Sequence, residues 1–337
     1  MRAFVTGSTG LLGNNLVRLL IQQGYEVIAL ARNAEKAKRM FGETGPRIVV
    51  GDMNDVEAFA PEMAGCDVLF HTAAYFREAL GSGDHWPMLE KLNITNTVRL
   101  FELAEQQGVG KIIHTSSNNT ISKRPDGKPG NESDVAQPEK TVHLYGRSKV
   151  LGDRAIAAFM KTHDIPVVTV MPGWMFGPGD AAPTSGGRFV LDFVNGRISG
   201  VFDSGFDVVD ARDVATAMII AASHVKGGER YIVSGHYTSL TELCRELETV
   251  TGIKAPSRRV PTAMIYFIAW MTERIAAVTK REANLTIDAV RVLTQKNKTS
   301  SAKAMKELRI RFRPLTETLH DTAQWYRNYR PDLIASK

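Results

Sequence analysis

Cysteine is scarce. The 337-residue chain has two, Cys66 and Cys244. Neither stands in a metal-ligand spacing, and one pair makes no disulfide framework. Structural metal sites and the cross-linked secreted class are therefore set aside, and a reducing, cytoplasmic setting is expected. Long apolar runs are also missing. The most apolar stretch, AMIYFIAWM at Ala263–Met271, falls far short of the about 20 residues that cross a bilayer. It is read as a buried or interface helix, and no membrane partner is expected. The first residues already form a strand-like run, RAFVT, which predicts no signal peptide. Internal repeats and low-complexity tracts are lacking. So is any cluster of one charge. The formal charge is +6, from 42 Lys and Arg against 36 Asp and Glu, but the basic residues are scattered. A nucleic-acid partner is not expected, and the charge is read as steering an anionic small molecule.

What is present is an alternation of two periods. Short, almost continuously apolar runs (RAFVT, EVIALA, RIVVG, DVLFHTA, KIIHTSS, PVVTVMP) alternate with helical spacings such as LLGNNLVRLLIQQ, MLEKLNITNTVRLFELAEQQ and YGRSKVLGDRAIAAFMKTH. Strands apolar on both faces, each followed by a helix, predict an α/β fold with a parallel sheet covered on both sides. After Pro172 a Gly- and Pro-rich loop, Gly177–Gly187, a helix, the strand FDVVD, the helix ARDVATAMIIAAS and the strand RYIVSG follow, and from Ser239 the pattern is nearly all helical. The expected organisation is a Rossmann-type doubly wound sheet, residues 1–173 plus about 207–235. A smaller, mostly helical substrate lobe takes 174–206 plus 236–337. The polar segment Ser122–Lys140 is long for a plain connector and is expected to cover a site.

Chemistry is concentrated in three places. Behind the first strand stands TGSTGLLG, with Gly7, Gly10 and Gly13. Glycine there allows a tight turn and lets a pyrophosphate approach the backbone, and the N–H groups at the following helix start then bind the phosphates. The second strand ends in Arg32 with no Asp or Glu in place. A carboxylate there would bind the ribose hydroxyls of NAD, whereas an Arg, with Lys36 nearby, suits the 2′-phosphate of NADP. Thus NADP(H) is favoured over NAD(H). Third, LYGRSK places Tyr145 and Lys149 one helical turn apart, on one face. An ammonium beside a phenol favours phenolate and lowers its pKa, fitting the pair for proton exchange with a carbonyl or alcohol oxygen. Upstream, IHTSS supplies Ser116 and Ser117, either of which can hold a reacting oxygen.

The order of glycine loop, Ser and Tyr-x-x-x-Lys resembles the short-chain dehydrogenase/reductase superfamily in its extended branch, and the spacing G-x-x-G-x-x-G is the one that branch uses. The resemblance implies Ser117, Tyr145 and Lys149 as catalytic residues, with Ser116 as the fallback hydroxyl and Lys149 also on the nicotinamide ribose. It implies cofactor contacts from Gly7, Thr9, Gly10, Leu11, Leu12 and Gly13, and from Arg32. Asp52 and Met53 would meet the adenine. Thr72, Ala73 and Ala74 of FHTAA would lie beneath the phosphate and ribose, and Pro172 of MPGWMFGPG would face the carboxamide, with Met171 where the family usually has Arg. Asn93 matches an Asn that supports the active site. Within the branch the chain looks most like dihydroflavonol-reductase-like proteins, implying reduction of a small carbonyl compound with Tyr145 as proton donor.

The alternative is a nucleotide-sugar epimerase or dehydratase. Such enzymes carry an Arg for the diphosphate where FDVVDARDVA has Phe206, and a His where it has Asp210. An apolar ring cannot neutralise a diphosphate, although Arg188, Arg197 or Arg212 could substitute. A non-catalytic dinucleotide sensor is least favoured, because Ser117, Tyr145 and Lys149 are all retained. The substrate lining is expected from Trp174, Phe176 and Phe206, with Phe189. No metal is expected. Relatives dimerise through the Tyr145 helix and the one near Leu89–Gln106, so a homodimer is a partner the resemblance allows.

Overall fold

Alternating faces build the central sheet. In β1 (Arg2–Thr6) Ala3 and Val5 point to one side and Phe4 to the other, and all three are fully buried. With side chains alternating at each residue, a strand covered on both faces must be apolar throughout, which is the pattern the sequence shows. The computed structural model describes residues 1–76, 84–141, 143–279 and 285–335.

Seven parallel strands run in the order β3–β2–β1–β4–β5–β6–β9. They are β1, β2 (Glu26–Ala31), β3 (Arg47–Val50), β4 (Val68–His71), β5 (Ile112–Thr115), β6 (Val167–Pro172) and β9 (Arg230–Val233). The chain winds outward from β1 to β3 and then returns to place β4 on the other side of β1. The reversal opens a crevice beyond the carboxyl ends of β1 and β4, where doubly wound sheets bind ligands. On one face α1 (Leu11–Gln22) and α7 (Ala211–His224) pack together over the sheet through Leu12, Leu16, Leu20, Val214 and Met218. On the other, α4 (Asn96–Gln106) and α5 (Leu144–Phe159) bury Leu100, Phe101, Ile156 and Phe159.

A three-stranded sheet, β10–β8–β7, stands apart. It is formed by β7 (Trp174–Phe176), β8 (Phe206–Asp210) and β10 (His236–Thr238). Its core joins α6 (Ser185–Val194), α8 (Leu240–Thr251) and α12 (Leu315–Tyr329) through Phe176, Phe193, Phe206, Leu243, Leu319 and Tyr326. β8, reckoned with the Rossmann segment at 207–235, pairs in this small sheet, while α7 and β9 of that segment belong to the large one.

Three local departures from the sequence pattern matter. The segment after β2 forms a further helix, α2 (Ala34–Phe41), started by Asn33 accepting the Lys36 backbone N–H. The helix expected over 88–107 is interrupted. A π-helical turn, Lys91–Thr95, separates α3 (Trp86–Glu90) from α4. And the apolar run Ala263–Met271 lies in α9 (Thr262–Thr279), which packs against α10 (Ile287–Thr294) along one side only. No helix among the described residues is long and apolar enough to cross a membrane.

Candidate active site

The glycine loop forms a cradle that only hydrogen side chains permit. Gly7 has φ +67°, and a Cβ there would press on the Thr72–Ala73 backbone behind β4. A Cβ on Gly13 would overlap the Gly7 carbonyl. Gly10 is the N-cap of α1 and brings no side-chain acceptor, so the first-turn N–H groups lack the partner that Ser or Asp would give them. Among them are those of Leu11, Leu12 and Gly13. The Ser8 hydroxyl ties the loop to the Leu30 carbonyl at 2.7 Å, and Gly10 N–H closes it onto Gly7 O at 3.0 Å. Thr72 donates to the Thr6 carbonyl at 2.7 Å and Ala73 N–H reaches Thr6 Oγ1 at 3.4 Å, so Thr72, Ala73 and Ala74 leave β4 beside the loop. A close-fitting turn with free N–H groups at the switch-point crevice suits the pyrophosphate of a dinucleotide.

At the end of β2 the Arg32 side chain is 78% exposed, its guanidinium 4.0 Å from the Asp52 carboxylate. Asp52 also accepts the Asn54 N–H at 2.7 Å, and the Met53 carbonyl accepts from Asn96 at 2.6 Å. Arg32, Asp52 and Met53 thus lie together at the carboxyl edge beside the cradle, reached from β2 and β3.

Helix α5 carries both Tyr145 and Lys149. Its N-cap is His143, whose Nδ1 accepts the Gly146 N–H at 3.1 Å. Lys149 is buried, donates from Nζ to the Thr115 carbonyl at 3.0 Å, and stands 5.9 Å from the centroid of the Tyr145 ring. Phe76 packs edge-on against that ring at 4.6 Å. The π-helical turn positions the helix. Asn93 donates to Ser148 Oγ at 3.1 Å, and its amide grips Tyr75 through both backbone groups, at 2.8 and 3.0 Å. Gly152 lets α5 approach, since a Cβ there would stand 2.9 Å from the Asn93 carbonyl.

The electrostatics correct one expectation. The Tyr145 phenol is not acidified by Lys149 in this arrangement. Burial pushes it up, and the Asp153 charge pushes it further. Lys149 is itself pushed down to about 8 by burial, with Asp153 opposing. Desolvation penalises whichever form is charged, and it is the largest influence on both groups. The phenol is therefore held as a proton carrier at neutral pH.

Asp153, one turn beyond Lys149 and largely buried, pairs with Arg230 of β9 at 2.9 Å. Arg230 also donates to Thr120 Oγ1 and the Glu132 carbonyl, each at 3.3 Å. The sequence reading missed this pair. The i, i+4, i+8 series Tyr145, Lys149, Asp153 was the available signal, whereas its partner Arg230 carried none.

Beneath Lys149 lie two stacked imidazoles, His71 and His114, with centroids 5.5 Å apart. Both are held neutral by burial and by the Lys149 charge, His71 at about 3. The unfolded imidazole titrates near 6.5, so the folded state resists protons that the unfolded state accepts. This contribution is complete above about pH 6.5 and is lost as pH falls from there towards 3. At pH 5 His71 alone is expected to cost about 2 kcal/mol. Denaturant midpoints at pH 7 and 5 check this. In His71→Gln the acid-dependent loss should be smaller than in the parent protein.

Ser117 follows β5, is 7% exposed, and its Oγ accepts the Asn119 N–H at 3.2 Å, which leaves the hydroxyl hydrogen free to donate. Ser116 is turned to Asp153. Pro172 ends β6, and Met171 is wholly buried against Thr120 and Arg230. Of the aromatic residues expected to line a substrate, Phe176 has no exposed surface and Phe206 only 9%; both belong to the core of the small sheet. Trp174 and Phe189 are among the part-exposed residues packed against that core, their rings 5.6 Å apart. Trp174 donates to Ser185 at 2.9 Å. Arg212 is held by Asp210 and Asp321, each at 2.7 Å, and Arg197 pairs with Asp192 at 3.4 Å. A polar cluster unsignalled by the sequence surrounds Asp207, which accepts from Asn118 at 3.2 Å and Thr299 Oγ1 at 2.7 Å, and is pushed up to about 6 by burial. The segment Ser122–Lys140 is strapped down where Gly130 exchanges backbone bonds with Lys298 and Ser300, both 2.8 Å. No group of His, Cys, Asp and Glu among the described residues could hold a metal.

Comparison with known proteins gives a consistent result. Residues 3–234 match the model of the NAD dependent epimerase/dehydratase family. A Synechocystis sp. protein named "Putative dihydroflavonol 4-reductase" is 32% identical over 332 residues, 97% of this chain and 94% of that one. Sterol demethylase protein B of Methylococcus capsulatus is 28% identical, covering 97% and 98% of the two chains. The crystal structure of gox2253 superposes with a TM-score of 0.83 at 29% identity, over 97% of this chain and 98% of the other.

Proposed function

The chain belongs to the NAD-dependent epimerase/dehydratase family of extended short-chain dehydrogenases/reductases, and from that premise we propose that it is an NADPH-dependent reductase of a small, largely apolar carbonyl compound. The observation that carries this reading is the Tyr145 phenol one helical turn from the buried Lys149, whose Nζ lies 5.9 Å from the ring centroid, with the Ser117 hydroxyl hydrogen free to donate. A reductase needs its Tyr to arrive with a proton and give it up to the oxygen that gains charge.

Ser117 donates its free hydroxyl hydrogen to the substrate carbonyl, and Tyr145 donates to the same oxygen and transfers its proton. Lys149 keeps one N–H on the Thr115 carbonyl and directs the rest of its charge towards the phenol and a ribose hydroxyl. Gly7, Gly10, Leu11, Leu12 and Gly13 hold the pyrophosphate, with Thr9 and Thr72–Ala74 alongside; Asp52 and Met53 take the adenine and Pro172 the carboxamide. When bound, the nicotinamide supplies the hydride. Trp174 and Phe189 offer the substrate an apolar wall. The relatives named for a dihydroflavonol and a sterol favour such a substrate. Phe206 and the pairing of Arg212 with Asp210 and Asp321 weigh against a sugar diphosphate, for which Arg188 and Arg197 are the other cations.

The test is a panel of aldehydes, ketones and UDP-sugars with NADPH and NADH. NADPH oxidation dependent on a carbonyl supports the proposal. Sugar interconversion with no net cofactor change establishes an epimerase instead, and cofactor binding without turnover on any substrate establishes a sensor. Arg32→Asp should lower affinity for NADPH about tenfold or more while changing NADH by only a few-fold, because it replaces a charge-assisted contact to the 2′-phosphate by a repulsion. Equal losses in fluorescence titrations would remove Arg32 from the cofactor site.

A further inference from the structure

Helix α9 uses only a narrow stripe of its surface to hold itself to the protein. Ile265 and Ala269 are at most 7% exposed and cluster with Val290 of α10, and Ala276 further along is 4% exposed. The opposite side is apolar and uncovered: Met264, Phe267, Ile268, Trp270, Met271, Ile275 and Val278 are between 39% and 84% exposed. They recur at helical spacing along the full 18 residues, so they form one continuous face. Single exposed apolar side chains are ordinary, but a contiguous apolar face marks an interaction surface. The expectation of a buried or interface helix with no membrane partner thus meets a face that the fold leaves bare.

The charges choose the partner. Between residues 254 and 279 stand Lys254, Arg258, Arg259 and Arg274, and a single acidic residue, Glu273. Glu273 is turned inward, accepting the Ile287 N–H at 2.8 Å. The three basic residues ahead of α9 are exposed, and Arg274 lies on the helix itself, its guanidinium 5.6 Å from the Trp270 ring. An apolar face with aromatic residues, with Arg274 on the helix, exposed cations in the segment leading into it and its one acidic residue among the described positions of α9 turned inward, matches the requirements of a helix lying in an anionic lipid interface. A second copy fits worse. Packing two such faces together brings the same unbalanced positive charge, Arg274 on the helix and Arg258 and Arg259 ahead of it, from both copies to one interface.

We propose that the outward face of α9, with Lys254, Arg258, Arg259 and Arg274, seats this protein on the surface of an anionic phospholipid bilayer. The helix lies flat and does not cross. Beneath the seat, Tyr266 of α9 meets Thr294 of α10 at 3.1 Å. The proposal goes beyond the reductase reading and stands whichever substrate is turned over.

The test is sedimentation of the full chain with vesicles of phosphatidylglycerol and phosphatidylcholine, or of phosphatidylcholine alone, with light scattering to give the oligomeric state. Binding is expected to the anionic vesicles, to weaken with salt, and to be much poorer on the zwitterionic ones. Two variants, Phe267→Ser/Trp270→Ser/Ile275→Ser and Arg258→Glu/Arg259→Glu, should each lower the bound fraction about tenfold or more. Both should keep NADPH binding, which shows that they are folded. No binding of the parent protein to anionic vesicles overturns the proposal, as does binding indifferent to lipid charge or to both variants. So does a dimer that the triple variant splits while vesicles remain unbound, which would assign the face to a second copy.

Discussion

Tyr145→Phe is expected to lower the turnover number about 10³-fold, equivalent to about 4 kcal/mol of transition-state stabilisation. The variant removes one oxygen and leaves the packing of Phe76 on the ring intact. NADPH affinity should change by no more than a few-fold, because in the proposed complex the phosphate contacts would come from the glycine loop and α1. A loss confined to KM, or a rate within tenfold of the parent, would show that the proton comes from elsewhere. The pH profile adds a second readout. Lys149 titrates at about 8, so the ammonium is present below that pH and is lost as pH rises through it. Activity should fall on the alkaline side with a midpoint near there. Lys149→Met should abolish that limb and most of the activity with it, whereas Lys149→Arg keeps the charge and should shift the limb upward.

Arg230→Met is the second large effect, and it falls on stability. Asp153 is largely buried, and its carboxyl is already pushed up by burial, with the Arg230 charge opposing. Removing the guanidinium strands that carboxylate and also strips the donors from Thr120 Oγ1 and the Glu132 carbonyl. Breaking one side of a buried pair costs about 3–5 kcal/mol. Arg230 is itself 25% exposed, which places the expectation at the lower end, about 3 kcal/mol. The cost has a definite pH sign. With Arg230 gone the folded pKa of Asp153 rises further above the unfolded value of about 3.9. The penalty is therefore largest at alkaline pH and shrinks as falling pH protonates the carboxyl. Urea midpoints at pH 8 and 5.5 measure it. Arg230→Met/Asp153→Leu should recover most of the stability, since replacing both partners of a buried pair by apolar groups is often neutral. If the single variant is as stable as the parent at pH 8, the ion pair is structurally idle.

The strands, the glycine loop and Tyr145–Lys149 were legible in the chain because each rests on a local rule. β1 had to be apolar throughout to serve a sheet covered on both faces. Gly7 and Gly13 sit where a Cβ would strike backbone, and Tyr145 and Lys149 stand one helical turn apart whatever else the molecule does. Other features were illegible for an equally physical reason. The π-helical turn at Lys91–Thr95 inside an otherwise ordinary helical pattern arises where Asn93 must reach both Tyr75 and Ser148. Phe176 and Phe206 read as substrate walls in sequence, but the small sheet turns them into its core. β8, next in sequence to α7, left the large sheet for the small one.

The sequence by itself determined the doubly wound sheet, the tight glycine turn behind β1 and the placing of Tyr145 and Lys149 on one face of one helix. These depend on periodicity and backbone freedom within a few residues. The tertiary structure alone decided the sign of the Tyr145 shift, the pairing of Asp153 with Arg230 from β9, and the exposure of one whole side of α9. Burial and electric field are sums over neighbours brought from distant parts of the chain, and no short stretch of sequence contains them.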